Sequence, residues 1–229
     1  QMYRQRYSDC PEEKMTLVPN GYDEEIFSEA EKKAEFSERQ NGPLTLLHSG
    51  ILYASERDPT CFFKAIAQLK ESGDISAADL RVVLRATGHE KLYHPILKVL
   101  DIEDIIVLLP GIAYQSALEE MLQADGLLLF QAGNCNHQIP AKLYEYFRAG
   151  KPVLAFTDRD GNTADLLRLV GIESIFPLND VALIKNALLD FIKNPTFRKQ
   201  VKCSLRNARK YSRQVLTKTY FDILDSVVG

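Results

Sequence analysis

Residues 126–156 read GLLLFQAGNCNHQIPAKLYEYFRAGKPVLAF, and this stretch decides the fold. Gly126–Phe130 is an unbroken apolar run of strand length. A strand with one face in water alternates apolar and polar residues; an unbroken run is expected where both faces are covered, as in a parallel sheet. After a long connection, Pro140–Ala149 carries apolar residues at helical spacing and stops at Gly150, and Pro152–Phe156 is a second apolar run. Strand, helix, strand in this order reads as a βαβ unit.

The same alternation extends outward. The expected strands are Leu44–Ser49, Leu80–Ala86, Ile105–Leu109, Gly126–Phe130, Pro152–Phe156 and Ser174–Phe176. Between them lie expected helices at Cys61–Ser72, Glu90–Leu100, Gln115–Gln123, Pro140–Ala149 and Ala164–Val170. In the first helix Phe62, Ala65, Ile66 and Leu69 form one face. The expected architecture is therefore an α/β, Rossmann-like, doubly wound parallel sheet of about six strands. Residues 28–40, SEAEKKAEFSERQ, read as a solvated helix or linker. From Asp180 the pattern is helical, broken at Pro195 and ending in a long helix over Tyr211–Val228.

Composition narrows the partners. The chain has 229 residues, 45% hydrophobic and 26% charged, enough for a buried core. Its net charge of −3 gives no field that would favour nucleic acid or an anionic membrane. Cys10, Cys61, Cys135 and Cys203 form no C-x-x-C pair, so no metal site is expected, and scattered thiols fit a reducing, cytoplasmic setting. No run approaches the roughly 20 apolar residues needed to span a bilayer, and nothing reads as a signal peptide. The chain opens in QMYRQRYSDCPEEK without an initiator methionine, as expected of a piece of a longer protein.

Doubly wound sheets bind ligands in the loops at the carboxyl ends of their strands. In HSGILYASERDP, residues 48–59, Gly50 lets backbone approach a ligand and Arg57 precedes a helix start; this reads either as a phosphate grip or as a surface Arg–Asp pair. PGIAYQS, residues 110–116, reads as a turn, with Ile112 and Ala113 able to meet a planar base. The connection from Gln131 to the next helix is long, which favours a functional role. Ile139, Pro140 and Ala141 lead into that helix, whose free N–H groups suit an anion. Lys142 opposes the helix dipole there, a cost that a bound polyphosphate would reverse. Glu145, one turn on, could accept hydrogen bonds from a ribose diol; the plain alternative is a surface Lys–Glu pair. His137 reads on its own as a solvated loop histidine.

Taken together these pieces resemble the retaining GT-B glycosyltransferases of family 4, also called glycosyl transferase group 1. VPNGYDEEIF, residues 18–27, resembles that family's I-P-N-G-V-D-x-x-x-F stretch, and PAKLYEYFRAGKPVLAF, residues 140–156, resembles the core of its donor motif. The resemblance covers nearly the whole chain but only the family's C-terminal, donor-binding half. It implies residues 1–40 as the linker and the end of an N-terminal domain, 41–195 as the donor-binding domain, and 196–229 as a helical extension crossing back. It implies a nucleoside diphosphate sugar as donor, no cofactor and no metal, with ribose on Glu145 and diphosphate near Gly50, Arg57 and Lys142. The family's first motif glutamate falls at His137, and its phosphate arginine at Ile51, while its lysine falls at Arg57. An acceptor would be met, and a membrane surface touched, through the other domain. Two further readings stay open: a GT-B nucleotide-sugar epimerase half, and a non-catalytic Rossmann-like binding domain.

Overall fold

The structure, a computed structural model, describes residues 6–11, 14–34 and 42–228. Its centre is a six-stranded sheet of β1 (Leu44–Ser49), β2 (Leu80–Arg85), β3 (Ile106–Leu109), β4 (Gly126–Phe130), β5 (Val153–Phe156) and β6 (Ile175–Phe176). The spatial order is β3-β2-β1-β4-β5-β6 and every pairing is parallel. This is the expected Rossmann-like sheet. The chain winds one way through β1, β2 and β3 and then the other way through β4, β5 and β6, so the switch point lies between β1 and β4.

The helices are α1 (Glu24–Lys33), α2 (Thr60–Glu71), α3 (Glu90–Val99), α4 (Tyr114–Gln123), α5 (Lys142–Ala149), α6 (Asn162–Leu169), α7 (Val181–Lys193), α8 (Pro195–Gln200), α9 (Leu205–Ala208) and α10 (Arg213–Val228). The unbroken apolar strands are explained by two cores. Leu127 and Leu129 of β4 pack with Leu118, Leu143 and Phe147 on one face, whereas Leu128 and Phe130 pack with Phe62, Ile66 and Phe191 on the other. Phe130 and Phe156 stack at 5.8 Å, and the edge of Phe62 meets Phe130 at 5.2 Å. Each strand residue thus removes apolar area from water on whichever side it faces, which is the dominant favourable term in folding.

Several expected boundaries move for local reasons. β2 ends at Arg85 because Ala86 turns to φ 55°. Pro152 stands outside β5 and instead bridges to Lys202. α5 begins at Lys142 rather than Pro140, with Pro140 just before the capping residue Ala141. α10 begins at Arg213, because Tyr211 belongs to a short 3-10 turn, Arg209–Tyr211.

The charged segment 28–40 needs the largest correction. Its first part is the end of α1, which is not a solvated helix: Phe27, Ala30 and Ala34 are buried in the core that also holds Leu118 and Met121 of α4. Asp23 caps α1 by accepting from the N–H groups of Glu25 and Ile26, at 3.1 and 3.2 Å. The buried guanidinium of Arg148 on α5 bonds Glu24 and Glu31 and so fixes α1 to the domain. Residues 35–40 lie outside the described residues. The NGYD turn is joined to the C-terminal segment: Tyr22 donates to Tyr211 O at 3.1 Å, and Arg213 N donates to Tyr22 O at 2.9 Å.

Candidate functional site

The carboxyl ends of β1 and β4 meet at the switch point. Gly50 follows β1 with φ 120°, a conformation L side chains rarely adopt. A Cβ on Gly50 would lie 2.9 Å from Nζ of Lys142. The backbone therefore favours glycine here, and a side chain would have to push the end of the lysine aside.

Lys142 does not extend into solvent from its helix. Its ammonium reaches across the switch point to Nε2 of His48, at 3.1 Å. His48 is the fifth residue of β1, fully buried, with Nδ1 at 3.0 Å from the carbonyl oxygen of Leu128. A carbonyl only accepts, so Nδ1 carries the hydrogen and Nε2 presents its lone pair to Lys142. Burial, and then the nearby lysine charge, push the His48 pKa well below the usual imidazole range. Burial, and then the charge of Arg57, pull Lys142 down to about 7, against an opposing contribution from Glu145. The three charges of Arg57, Lys142 and Glu145 therefore act on one small volume.

The other expected residues are placed as follows. The guanidinium of Arg57 donates to Ile51 O at 3.1 Å and lies 5.5 Å from the centre of the Tyr53 ring. Glu145 accepts from the Tyr114 hydroxyl at 2.7 Å, and burial raises its pKa. Ile112 is exposed on the loop after β3, next to Tyr114, with which α4 begins. Ile139 is partly buried against the core and Pro140 is buried, whereas Ala141 is exposed at the helix start. Gly50, Arg57, Lys142 and Glu145 thus converge from β1, its loop and α5, and Ile112 stands on the loop beside them.

His137 is exposed; its carbonyl oxygen accepts from Nδ2 of Asn162 at 2.7 Å. The long connection that carries it is held from within. Nε2 of buried Gln131 donates to the carbonyls of Cys135 and Gln138, at 2.9 and 2.8 Å, and its Oε1 accepts from Thr157 at 3.2 Å. Ala132 N donates to Glu56 O at 2.7 Å, which joins this connection to the loop bearing Arg57. A cavity of about 380 Å³ opens over the ends of β4, β5 and β6, lined by Asp58, Cys61, Gln131, Gly133, Asp158 and Asn179.

His48 and Gln131 are the residues that sequence reasoning passed over. Each is a polar side chain in or directly after an apolar strand, and His48 stands two residues before the glycine that was singled out. That position is the available signal.

No family model and no curated protein matches this chain. Solved structures do. Sucrose-phosphate synthase from Thermosynechococcus elongatus superposes with a TM-score of 0.70 at 12% identity, over 99% of this chain and 56% of that one. WaaG, a glycosyltransferase involved in lipopolysaccharide biosynthesis, gives 0.62 at 17% identity, over 96% and 58%. UDP-GlcNAc 2-epimerase from Neisseria meningitidis bound to UDP-GlcNAc gives 0.62 at 12%, over 98% and 58%. At these identities the likeness is one of fold: a Rossmann-like α/β domain matching one half of the GT-B architecture. The chain spans a little over half the length of each of these neighbours.

Proposed function

We propose that this chain is the donor-binding half of a retaining, metal-independent glycosyltransferase of the family 4 type, acting on a nucleoside diphosphate sugar. The observation that carries the reading is the convergence of Gly50, Arg57, Lys142 and Glu145 at the β1/β4 switch point. In this reading Glu145 accepts the ribose hydroxyls, as it now accepts from Tyr114. Arg57 and Lys142 face the diphosphate. As the glycosidic C–O bond breaks, its electron pair and a growing negative charge pass to the diphosphate. Fixed cations beside the leaving oxygens favour that charge most in the transition state. His137 stands at the motif position beside the transferred sugar.

The acceptor belongs to a further domain, so this half binds donor and does not by itself transfer sugar. The same proposal takes residues 41–195 as the donor domain, with 1–40 leading into it and 196–229 crossing back. Its setting is the cytoplasm, with any membrane contact made through the acceptor domain. Among the described residues no helix is long and apolar enough to cross a membrane.

The fold likeness to an epimerase favours a second reading, in which the same half serves a nucleotide-sugar epimerase. Titrating the chain with UDP, GDP, uridine and guanosine by calorimetry tests the shared part, and binding of neither diphosphate overturns both. A longer polypeptide carrying this half, supplied with nucleotide sugars, separates them: transfer to an acceptor supports the first reading, and epimerised nucleotide sugar supports the second.

A further inference from the structure

The Lys142–His48 contact has no role in the reading above, where the lysine alone faces the phosphates. We infer that His48 is a positioning residue for Lys142: its Nε2 lone pair accepts one hydrogen of the amine at the β1/β4 switch point, and the remaining hydrogens are left for a bound diphosphate. The inference rests on the proposed donor site and adds to it the group that keeps its cation in place.

The geometry carries it. The Nδ1–H of His48 is committed to Leu128 O at 3.0 Å, which fixes both the ring and its tautomer. The ring packs 5.3 Å from Phe130, so it has a wall behind it. The remaining lone pair is aimed at Nζ of Lys142, 3.1 Å away, and Gly50 leaves the room that the contact needs. A lysine side chain is long and loses much rotamer freedom when it is held. Without an acceptor at this point, the amine would be a buried donor with no partner or would swing toward Glu145. With His48 in place that ordering cost is met before the ligand arrives, which is how a preorganised site gains affinity. The charged and titratable groups around Lys142 are His48 on β1, Arg57 on the β1–α2 loop and Glu145 on its own helix. Tyr114 and Arg213 reach it through Glu145.

Two substitutions separate positioning from packing, because each keeps a different half of the imidazole. In His48→Asn the amide nitrogen takes the place of Nδ1 and can still donate to Leu128 O, but Lys142 loses its acceptor. In His48→Gln the amide oxygen takes the place of Nε2 and can still accept from Lys142, while the bond to Leu128 is lost. UDP, GDP, pyrophosphate, uridine and guanosine are titrated into both variants and the parent by calorimetry. His48→Asn is expected to lose about tenfold in affinity for the diphosphates and pyrophosphate, the scale of one hydrogen bond to a charged group. It should bind the nucleosides as the parent does. His48→Gln is expected to stay within about threefold of the parent for every ligand, a small fraction of such a bond.

Equal losses in both variants, or parental diphosphate binding by His48→Asn, would overturn the inference. A ligand-free arm keeps it distinct from the donor-site reading. In the parent, ¹⁵N spectra should show His48 as the Nδ1–H tautomer. The titration midpoint of Lys142, followed at its ¹³Cε, should move in His48→Asn and stay in His48→Gln. If the parent binds no diphosphate but the spectra behave this way, the pairing stands and the donor site is wrong. An Nε2–H tautomer, or one midpoint in all three proteins, overturns the pairing itself.

Discussion

The Tyr114 hydroxyl donates to Glu145 at 2.7 Å, so the carboxylate proposed to meet a ribose already holds a hydroxyl from the protein. That phenol offers the same kind of donor as a sugar hydroxyl. Glu145→Ala is expected to weaken UDP and uridine equally, by about 1–3 kcal/mol, the range for hydrogen bonds to a charged group. Tyr114→Phe is expected to cost less than threefold in nucleotide affinity, because the freed lone pairs remain for ribose. Calorimetry on both variants checks this, with melting temperature as the control; a large loss of stability in Glu145→Ala with unchanged affinity would make the carboxylate structural.

The cations should show the opposite selectivity. Arg57→Ala and Lys142→Met are each expected to weaken UDP or GDP while leaving the nucleosides unchanged, because only the phosphates carry charge. The two losses should be less than additive, since both cations act on one small volume and the charge of Arg57 already lowers the tendency of Lys142 to be charged. The Arg57 effect should shrink more at high salt, as its hydrogen bond to Ile51 is exposed whereas that of Lys142 to His48 is partly buried. Affinities of the double variant at low and high salt decide the matter.

Lys142 makes stability depend on pH with a definite sign. Its pKa falls from 10.5 in the unfolded chain to about 7 in the fold. Between those values the unfolded chain binds more protons, so stability contributed at this site rises with pH through that window. Below pH 7 the cost of burying the charge is fully present. Lys142→Met is therefore expected to raise the melting temperature most at pH 6 and least near pH 10. The same shift predicts that UDP binding takes up protons at pH 8, visible as a binding heat that varies with the ionisation enthalpy of the buffer.

Gly50→Ala tests the crevice from the backbone side. The φ of 120° alone should cost about 1–3 kcal/mol in an L residue. The new Cβ, 2.9 Å from Nζ, should also displace Lys142 from His48. Diphosphate affinity is expected to drop along with stability, whereas Gly73→Ala, also at positive φ but with open space around its Cβ, should lower stability alone.

Arg148→Met tests the attachment of α1. Its guanidinium is 9% exposed, while Glu24 and Glu31 are 33% and 38% exposed. Removing the cation leaves two carboxylates facing each other with partial access to water. The loss is expected near the lower end of the roughly 3–5 kcal/mol typical of a broken buried pair, measured by denaturant unfolding. Nucleotide affinity should change little.

The sheet was legible because its strands are buried on both faces: a run such as Gly126–Phe130 leaves no other economical reading. Helix α1 was hidden by its charge. Its buried positions Phe27 and Ala30, with Ala34 just past its end, have helical spacing, but they straddle the start of the segment taken as a solvated stretch. Lys142 and Glu145 stood out as charges at a helix start, and their grouping with Gly50 and Arg57 came from the motif resemblance. His48 and Gln131 could not be separated from core by pattern, because a polar residue at an inward strand position shows its partner only when a distant loop folds over it. The separation of 94 positions from His48 to Lys142 is what local periodicity cannot see.

The paired hydrogen bonds between Tyr22 and the segment Tyr211–Arg213 join parts of the chain that are very far apart in sequence. Closing so long a loop costs more entropy than any neighbouring strand pairing, and that cost is recovered only after the sheet exists. The clasp is therefore expected to form after the sheet and to open before it. Native-state hydrogen exchange should find the amides of Tyr22 and Arg213 opening at lower free energy than those of β1 and β4, in a partial unfolding that frees α10 while the switch-point crevice stays assembled.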